Sequence, residues 1–157
     1  MNPSLRAAAT EDAQRVADIL ISTRSEFMPY APSAHTEAEV RQWVAASLVP
    51  GGGVIVAEVD GKVVGVMATA AEGTESWIRQ MAVDPALVGN KIGSTLLSFA
   101  VARLPRPIRL YTFQANVGAR RFYERHGFNP TKFTDGQGNE ERCPDVLYEL
   151  APTPAEA

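Results

Sequence analysis

The chain has 157 residues, of which 45% are hydrophobic and 21% charged, with a formal net charge of −3. This size fits one domain with a buried core, which we place at residues 1–151, before a tail at residues 152–157 that we expect to be disordered. The charges are interspersed, which argues against nucleic acid as a partner, and no stretch approaches the ~18 apolar residues of a membrane span. Cys143 is the only cysteine, so no internal disulfide and no cysteine-based zinc site are expected. We therefore expect a soluble cytoplasmic protein.

Hydrophobic periodicity and breaker residues predict an alternation of strands and helices. Thr10 offers an N-cap to the first helix, and Thr36-Glu37-Ala38-Glu39 is typical of a capping box that opens the second. Asp60-Gly61 between β-branched runs favours a two-residue hairpin turn. The expected strands are residues 5–8, 54–59, 62–70, 76–83, 108–113, 128–134 and 145–150. The expected helices end near Glu26, Leu48, Leu104 and His126.

The segment from Asn116 to Phe128 carries the strongest functional signal. Its apolar and ring-bearing residues recur at i, i+3, i+4 and i+7 and so share one helix face: Ala119, Phe122, Tyr123 and His126. Gly127 follows, where a left-handed residue closes a helix. The segment resembles the N-x-x-A-x-x-F-Y-E-x-x-G-F signature of the GNAT superfamily of acetyl-coenzyme A dependent N-acetyltransferases.

That resemblance implies a fold and an activity. The fold would be α/β (α+β), the GNAT fold, with a central mixed, mostly antiparallel sheet of about six to seven strands flanked by four helices. Acetyl-coenzyme A would be the cosubstrate, with no metal, and the acceptor a primary amine of a small molecule or peptide terminus that attacks directly in a ternary complex. The alternative is a GNAT-like module that holds acyl-coenzyme A as a sensor without turnover. A homodimer is one option for the oligomeric state.

A second motif lies between a predicted strand and an amphipathic helix. Backbone N–H groups and the helix dipole can form an anion site there, although a plain turn that caps the helix explains the segment equally well on its own. The segment is similar to the GNAT pattern Q/R-x-x-G-x-G/A in Gly93, but Val88 replaces the Gln or Arg and Lys91 replaces the first glycine. The residues that we expect to bind the pyrophosphate are Gly89, Asn90, Lys91, Ile92, Gly93 and Ser94.

The resemblance also suggests roles near the thioester. Tyr123 would be the general acid for the departing thiolate, and an unshifted pKa near 10 would keep it protonated at neutral pH. Asn116 would cap its helix and meet the pantetheine arm, along which the strand Met81-Ala82-Val83 would pair its backbone. Glu75 and His35 are candidates for the base, although a solvated strand end and a pocket wall explain them as well, and water could carry the proton.

Two segments resemble the rim of an acceptor pocket. One is the Pro-rich loop, with Phe27, Tyr30 and His35. The other is an acidic hairpin tip, with Glu140 and Glu141 before Asp145, which would favour a cationic amine. A charged hairpin tip is, however, more often simply solvated.

Overall fold

The structure is a computed structural model in which residues 2–153 are described. From position 154 onward, the predicted disordered tail lies outside the described residues. The strands are β1 (Ser4–Ala7), β2 (Val54–Val59), β3 (Lys62–Glu72), β4 (Glu75–Val83), β5 (Ile108–Phe113), β6 (Asn129–Phe133) and β7 (Asp145–Leu150). The helices are α1 (Ala13–Phe27), α2 (Glu37–Trp43), α3 (Ile92–Arg103) and α4 (Val117–Arg125). Short 3-10 turns cover Thr10–Asp12 and Pro85–Leu87, and one π-helical turn, Val44–Leu48, extends α2.

The strands form one mixed sheet in the order β1-β2-β3-β4-β5-β7-β6. Strands β4 and β5 are parallel, whereas β1 with β2, β2 with β3, β5 with β7 and β6 with β7 are antiparallel. Within residues 2–153, this sheet of seven strands and the four helices confirm the fold class that the sequence predicts.

The chain forms two compact units. The first consists of the residues up to Thr69 with Gln80–Ala102, and the second of Ala70–Arg79 with the residues from Arg103 onward. Strands β3 and β4 each contribute to both units. The single domain over residues 1–151 stays a prediction.

The core of the first unit lies between helices and the sheet. On α1, Val16 and Ile19 lose nearly all their exposure, in a cluster that includes Val56 of β2 and Val66 of β3. Gly65 of β3 lies directly under α3, because a Cβ there would come within 3.0 Å of the Ile92 side chain. The apolar face predicted for α3 is therefore the buried one.

The core of the second unit follows the two-residue alternation of β5 and β7. Leu110 is paired in register with Tyr148, and both are nearly fully buried. Tyr123 of α4 covers this face, with its ring centroid 6.3 Å from that of Tyr148. The alternate residues, such as Tyr111, lie on the opposite face of the same strands.

Local signals were mostly confirmed. The Thr36 side chain accepts a hydrogen bond from the N–H of Glu39, whose carboxylate accepts from the N–H of Thr36 at 2.8 Å, so the capping box is present. Asp60 and Gly61 both have positive φ, at 52° and 78°, as a two-residue hairpin turn requires.

The predicted N-cap at Thr10 was wrong. Thr10 begins a 3-10 turn instead, and the carboxylate of Asp12 accepts a hydrogen bond from the N–H of Ala9 at 2.7 Å and two from the guanidinium of Arg6. The carboxylate of Asp12 thus holds the segment before α1 and does not cap the helix, which begins at Ala13. These contacts hold the pKa of Asp12 below its ordinary value, with the Arg6 hydrogen bond as the main cause.

Candidate active site

Helix α4 has well-defined capping interactions at both ends. At its start, the side-chain oxygen of Asn116 accepts from the N–H of Ala119 at 3.2 Å, as predicted. At its end, Gly127 has φ of 91°, and its N–H donates to the carbonyl of Glu124, while the N–H of Phe128 donates to the carbonyl of Tyr123. This is a Schellman motif, in which a left-handed glycine satisfies the last carbonyls of the helix.

Three aromatic rings surround Tyr123. Those of Phe122, Phe128 and Tyr148 have centroids 5.2, 5.9 and 6.3 Å from its own, and Tyr123 is only 8% exposed. Burial raises the pKa of its hydroxyl above the ordinary value, because the phenolate would be poorly solvated. Protonation of Tyr123 at neutral pH, which the ordinary pKa already predicts, is favoured further by this raised pKa.

The hydroxyl of Tyr123 is not engaged by another described group. Within residues 2–153 it has no hydrogen-bond partner, and that range contains no unpartnered polar side-chain atom that is sealed from solvent. Its oxygen therefore keeps some access to the surface although the ring is buried. A buried, protonated donor with an open hydroxyl is suited to stabilising negative charge that develops nearby.

Sequence reasoning missed the polar network beside Tyr123. The hydroxyl of Tyr148 donates to Glu124 at 2.5 Å and accepts from the Nε of Arg120 at 3.1 Å. These bonds attach two side chains of α4 to β7. Arg120 and Glu124 are one turn apart, as in many surface pairs, but nothing in the sequence indicated that a tyrosine 24 residues beyond Glu124 lies between them.

The glycine-containing loop leads directly into α3, which begins at Ile92 as predicted. Gly93 and Ser94 therefore belong to its first turn. The N–H of Thr95 donates to the carbonyl of Lys91 at 3.0 Å, which is the first bond of the helical ladder. The N–H groups of the three residues before Thr95 therefore precede that ladder, at the positive end of the helix dipole.

Two residues of the loop have left-handed backbone. Gly89 has φ of 95° and Lys91 has φ of 65°. Lys91 stands where the family pattern has its first glycine, and its positive φ gives the physical reason for glycine there. Asn90 closes the turn between them, since its N–H and its side-chain amide both donate to the carbonyl of Leu87. All the residues from Val88 to Lys91 are exposed.

Arg15 of α1 fixes the start of this loop, which sequence reasoning also missed. Its Nε donates to the carbonyl of Val63 at 2.8 Å, and its Nη2 lies 2.6 Å from a carboxylate oxygen of Asp84. The other oxygen of Asp84 accepts from the N–H of Ala86 at 3.0 Å, which caps the 3-10 turn. The pKa of Asp84 lies below its ordinary value, first because of that backbone bond and then because of Arg15.

Strand β4 carries the predicted pantetheine residues at its far end. The register that pairs it with β5 joins Ser76 to Ile108 and Trp77 to Arg109. Met81–Val83 follows four residues further along, in the first unit. The side chain of Ala82 is buried, and the carbonyl of Val83 accepts from the Thr23 hydroxyl at 3.2 Å.

Glu75 is held in an ion-pair network. One carboxylate oxygen accepts from Arg109 at 2.6 Å, and the other accepts from the indole N–H of Trp77 at 3.2 Å. Arg109 also donates to Glu149 at 2.8 Å. The solvated strand end that we considered for Glu75 is therefore wrong, because the carboxylate is a structural partner of β5.

The predicted acceptor residues are divided between the two units. Phe27 is the last residue of α1, and His35, whose N–H donates to the hydroxyl of Ser33, is exposed just before α2. Tyr30 lies between them in the first unit, whereas Glu140 and Glu141 belong to the second.

The loop before β7 is more structured than a solvated tip. Asp145 is buried and accepts from the side-chain amide of Asn139 at 3.1 Å and from the hydroxyl of Thr134. Gly136 has φ of 85°, and a Cβ there would lie 2.3 Å from the carbonyl carbon of Cys143. The proposed attraction of an amine by Asp145 is therefore wrong, because its carboxylate stabilises the loop.

The site residues thus fall into two sets. The first unit holds the residues assigned to pyrophosphate and pantetheine binding, except Asn116, and the second holds Asn116, Tyr123 and Glu75. Within residues 2–153, no group of three or more His, Cys, Asp or Glu side chains is arranged to hold a metal ion. In the same range, no helix is both long and apolar enough to cross a membrane.

The sequence profile of the acetyltransferase (GNAT) family matches residues 20–128. Among solved structures, the chain is similar to apo YjaB from Escherichia coli, with 19% identity and a TM-score of 0.77 over 98% of this chain and 100% of that one. The PaiA N-acetyltransferase from Thermoplasma acidophilum, solved with coenzyme A, has 18% identity and a TM-score of 0.75 over 97% and 100%.

A third similar structure is Naa50 from Arabidopsis thaliana, solved with the bisubstrate analogue CoA-Ac-MVNAL. It has 18% identity and a TM-score of 0.71 over 95% of this chain and 98% of that one. At these sequence identities, the similarity to the three structures establishes the fold alone. No curated protein matches the sequence.

Proposed function

Because this chain belongs to the acetyltransferase (GNAT) family, we propose that it moves an acetyl group from acetyl-coenzyme A to a primary amine of a small molecule or peptide terminus. Family membership makes it an acetyltransferase, and the donor, the acceptor and direct attack in a ternary complex are the proposal. The observation that carries it is Tyr123, a protonated and ring-enclosed hydroxyl without a hydrogen bond in the described chain.

The start of α3 fits the pyrophosphate of the donor. The N–H groups of Ile92, Gly93 and Ser94 precede the first helical bond, and the left-handed backbone at Gly89 and Lys91 turns the chain toward them. An anion is stabilised at such a helix start, and the exposed ammonium of Lys91 adds charge. That PaiA and Naa50 were solved with coenzyme A or its conjugate supports this choice of ligand.

The proposed chemistry is acyl transfer through a tetrahedral intermediate. The neutral amine attacks the thioester carbonyl, the C–S bond breaks, and the thiolate receives the proton of the Tyr123 hydroxyl. The proton released by the amine leaves to solvent, from which Tyr123 is reprotonated. Backbone N–H groups of Met81–Val83 are the candidates for stabilising the oxyanion. The raised pKa of Tyr123 makes full proton transfer less favourable and hydrogen bonding to sulfur correspondingly more important.

For the base, we favour water over a side chain. Glu75 would have to leave Arg109 to take a proton, because its carboxylate oxygens already accept from Arg109 and Trp77. His35 lies in the first unit beside the capping box of α2. A free amine is about one part in a thousand neutral at pH 7, so activity should rise with pH as more neutral amine becomes available.

Tyr123→Phe tests the proposal. Loss of a general acid typically lowers turnover by ~10²–10⁴-fold, whereas the affinity for acetyl-coenzyme A should stay within about twofold, because the ring is retained. Turnover is measured by release of free thiol with an amine panel, and affinity by isothermal titration with acetyl-coenzyme A.

Tyr148→Phe is the matched control. It removes one hydroxyl from the neighbouring ring, but that hydroxyl binds Glu124 and Arg120, so the loss should cost stability, about 1–2 kcal/mol, rather than turnover. If the wild type bound acetyl-coenzyme A but released no thiol with any amine, the result would favour the sensor module. Equal turnover in wild type and Tyr123→Phe, with chemistry rate-limiting, would remove Tyr123 from the mechanism.

A further inference from the structure

Within the described part of the first unit, one edge of β4 is not paired by a strand. The N–H of Asp84, just after β4, donates to the carbonyl of Val64 on β3 at 2.8 Å. Because successive strand residues direct their backbone groups to opposite edges, the N–H and C=O of Val83 point away from β3. The pairs between β4 and β5 end at Trp77, which belongs to the second unit. The backbone groups of Val83 thus lie on the open edge of β4.

One backbone group on this open edge already has a partner. The hydroxyl of Thr23 on α1 donates to the carbonyl of Val83 at 3.2 Å. A hydroxyl has a single proton, which a helical threonine often gives to a carbonyl three or four residues earlier in its own helix. Thr23 gives it to the strand instead, so this side chain joins α1 to the end of β4.

Packing does not explain the hydroxyl of Thr23. This residue continues the face of α1 on which Val16 and Ile19, seven and four residues before it, are nearly fully buried. Valine has the same branched shape and would cover the same core without a polar group to satisfy. What the threonine adds to this face is therefore its hydrogen bond to Val83.

The peptide group between Val83 and Asp84 is fixed from both edges of the strand. Its carbonyl accepts from Thr23, and its N–H donates to Val64. The group is planar, so two hydrogen bonds on opposite sides hold its orientation. The N–H of Val83 lies beside this carbonyl on the open edge, as in any extended residue. Without Thr23, the open edge would present an unpaired acceptor next to its donor.

We infer that Thr23 is a positioning residue for the proposed acetyl transfer. Its hydroxyl occupies the Val83 carbonyl, so that the open edge presents the N–H of Val83 to the thioester oxygen without a competing acceptor beside it. The inference rests on the proposed function, in which N–H groups of Met81–Val83 stabilise the oxyanion. Donors stabilise an oxyanion and a free carbonyl oxygen repels it, so the bond from Thr23 matters most in the transition state.

Thr23→Val tests the inference, because it removes the hydroxyl and keeps the branched shape. It should lower kcat roughly 3- to 10-fold, in line with the loss of one hydrogen bond. The dissociation constant of acetyl-coenzyme A should stay within about twofold, since the proposed pyrophosphate site at the start of α3 is unchanged. Thiol release at saturating amine gives kcat, and isothermal titration gives the affinity.

Thr23→Ser is the reciprocal variant. It keeps the hydroxyl but removes a methyl group from the buried face, so it should lose stability and keep kcat within about twofold of wild type. A purely structural role predicts instead that kcat follows thermal stability in both variants. Should Thr23→Val fail to fold, the comparison of Thr23→Ala with Thr23→Ser still isolates the hydroxyl.

Thr131→Val is the matched control. The hydroxyl of Thr131 donates to the carbonyl of Leu147 at the same distance, 3.2 Å, but in the second unit. This variant should leave kcat unchanged. Equal losses of kcat in Thr23→Val and Thr131→Val, or wild-type kcat in Thr23→Val, would overturn the role of Thr23 and leave the proposed function standing. No thiol release with any amine in the wild type would instead overturn the proposed function, and the role of Thr23 with it.

Discussion

The two segments assigned to the cosubstrate are held in place in different ways. The two ends of helix α4 are fixed by contacts within residues 116–128, from the Asn116 cap to the Schellman motif at Gly127, and its middle is joined to β7 through Tyr148. The loop that precedes α3 is fixed from a distance, by Arg15 on α1, which is 69 residues from its partner Asp84. A locally fixed segment should tolerate distant mutations, whereas a remotely fixed loop should lose its ligand when α1 is changed.

Arg15→Ala should have the largest effect on the loop. It leaves the carbonyl of Val63 and the carboxylate of Asp84 without their arginine partner in a partly buried position, which should cost about 2–3 kcal/mol of unfolding free energy. Acetyl-coenzyme A should bind roughly tenfold more weakly, while turnover at saturation changes little. Calorimetry measures the loss of stability and of affinity. Steady-state kinetics then show whether the Michaelis constant for acetyl-coenzyme A rises while kcat stays nearly constant.

Arg41→Ala is the control for that variant. Arg41 also joins α1, through Asp18 at 2.7 Å, but that pair is a surface pair and should contribute no more than about 1 kcal/mol. The affinity for acetyl-coenzyme A should not change. If both variants weaken binding equally, the loop is not fixed by Arg15 and the contrast with α4 fails.

Asp84 adds a pH dependence to the same contact. Its pKa is lowered in the folded protein, so its contribution to stability is present above the ordinary carboxyl pKa and is lost as the pH falls through the lowered value. Asp84→Asn should therefore be less stable than wild type at neutral pH and approach it in acid. Urea unfolding at several pH values measures this, and a constant difference down to the most acidic pH would contradict it.

Gly127→Ala tests the local segment. Left-handed backbone costs an alanine about 1 kcal/mol relative to glycine, and an added Cβ would also come within 3.4 Å of Leu150. The variant should lose stability without losing affinity for acetyl-coenzyme A. Gly118→Ala is the control in the same helix, since nothing lies within 4 Å of its added Cβ and alanine favours helix, so it should gain up to about 1 kcal/mol. If both variants changed the stability in the same direction, this account of α4 would be contradicted.

The same contrast explains what the sequence could predict. The cap at Asn116, the stop at Gly127 and the turn at Asp60-Gly61 depend on neighbours in the chain, and all were confirmed. The fold class followed from a motif that itself lies in such a local segment. The roles proposed for Tyr123 and Asn116 remain predictions.

What the sequence missed depends on tertiary contacts. The raised pKa of Tyr123 comes from burial under rings on other elements, and helical spacing does not reveal how deep a face lies. Asp145 was proposed to attract an amine because the sequence does not show that its partner Asn139, in a loop without periodicity, already binds it. Arg15 belongs to no recognisable sequence motif. Its position on α1 does not reveal that its guanidinium reaches Val63 and Asp84.

The smallest predicted effect concerns Lys91, where local backbone and ligand charge favour different residues. Its left-handed φ of 65° disfavours lysine, so Lys91→Gly should stabilise the fold by about 0.5–1 kcal/mol. The same change removes an exposed ammonium, so acetyl-coenzyme A should bind more weakly at low salt and with a smaller dependence on salt. Lys91→Ala separates the two effects, because it loses the charge but keeps a side chain in left-handed backbone: it should weaken binding as much as glycine does and bring no gain in stability. Thermal unfolding and titrations at two salt concentrations provide the readout. If alanine and glycine are equally stable, the backbone at Lys91 is not strained, and the loop, unlike the end of α4 at Gly127, does not depend on a glycine.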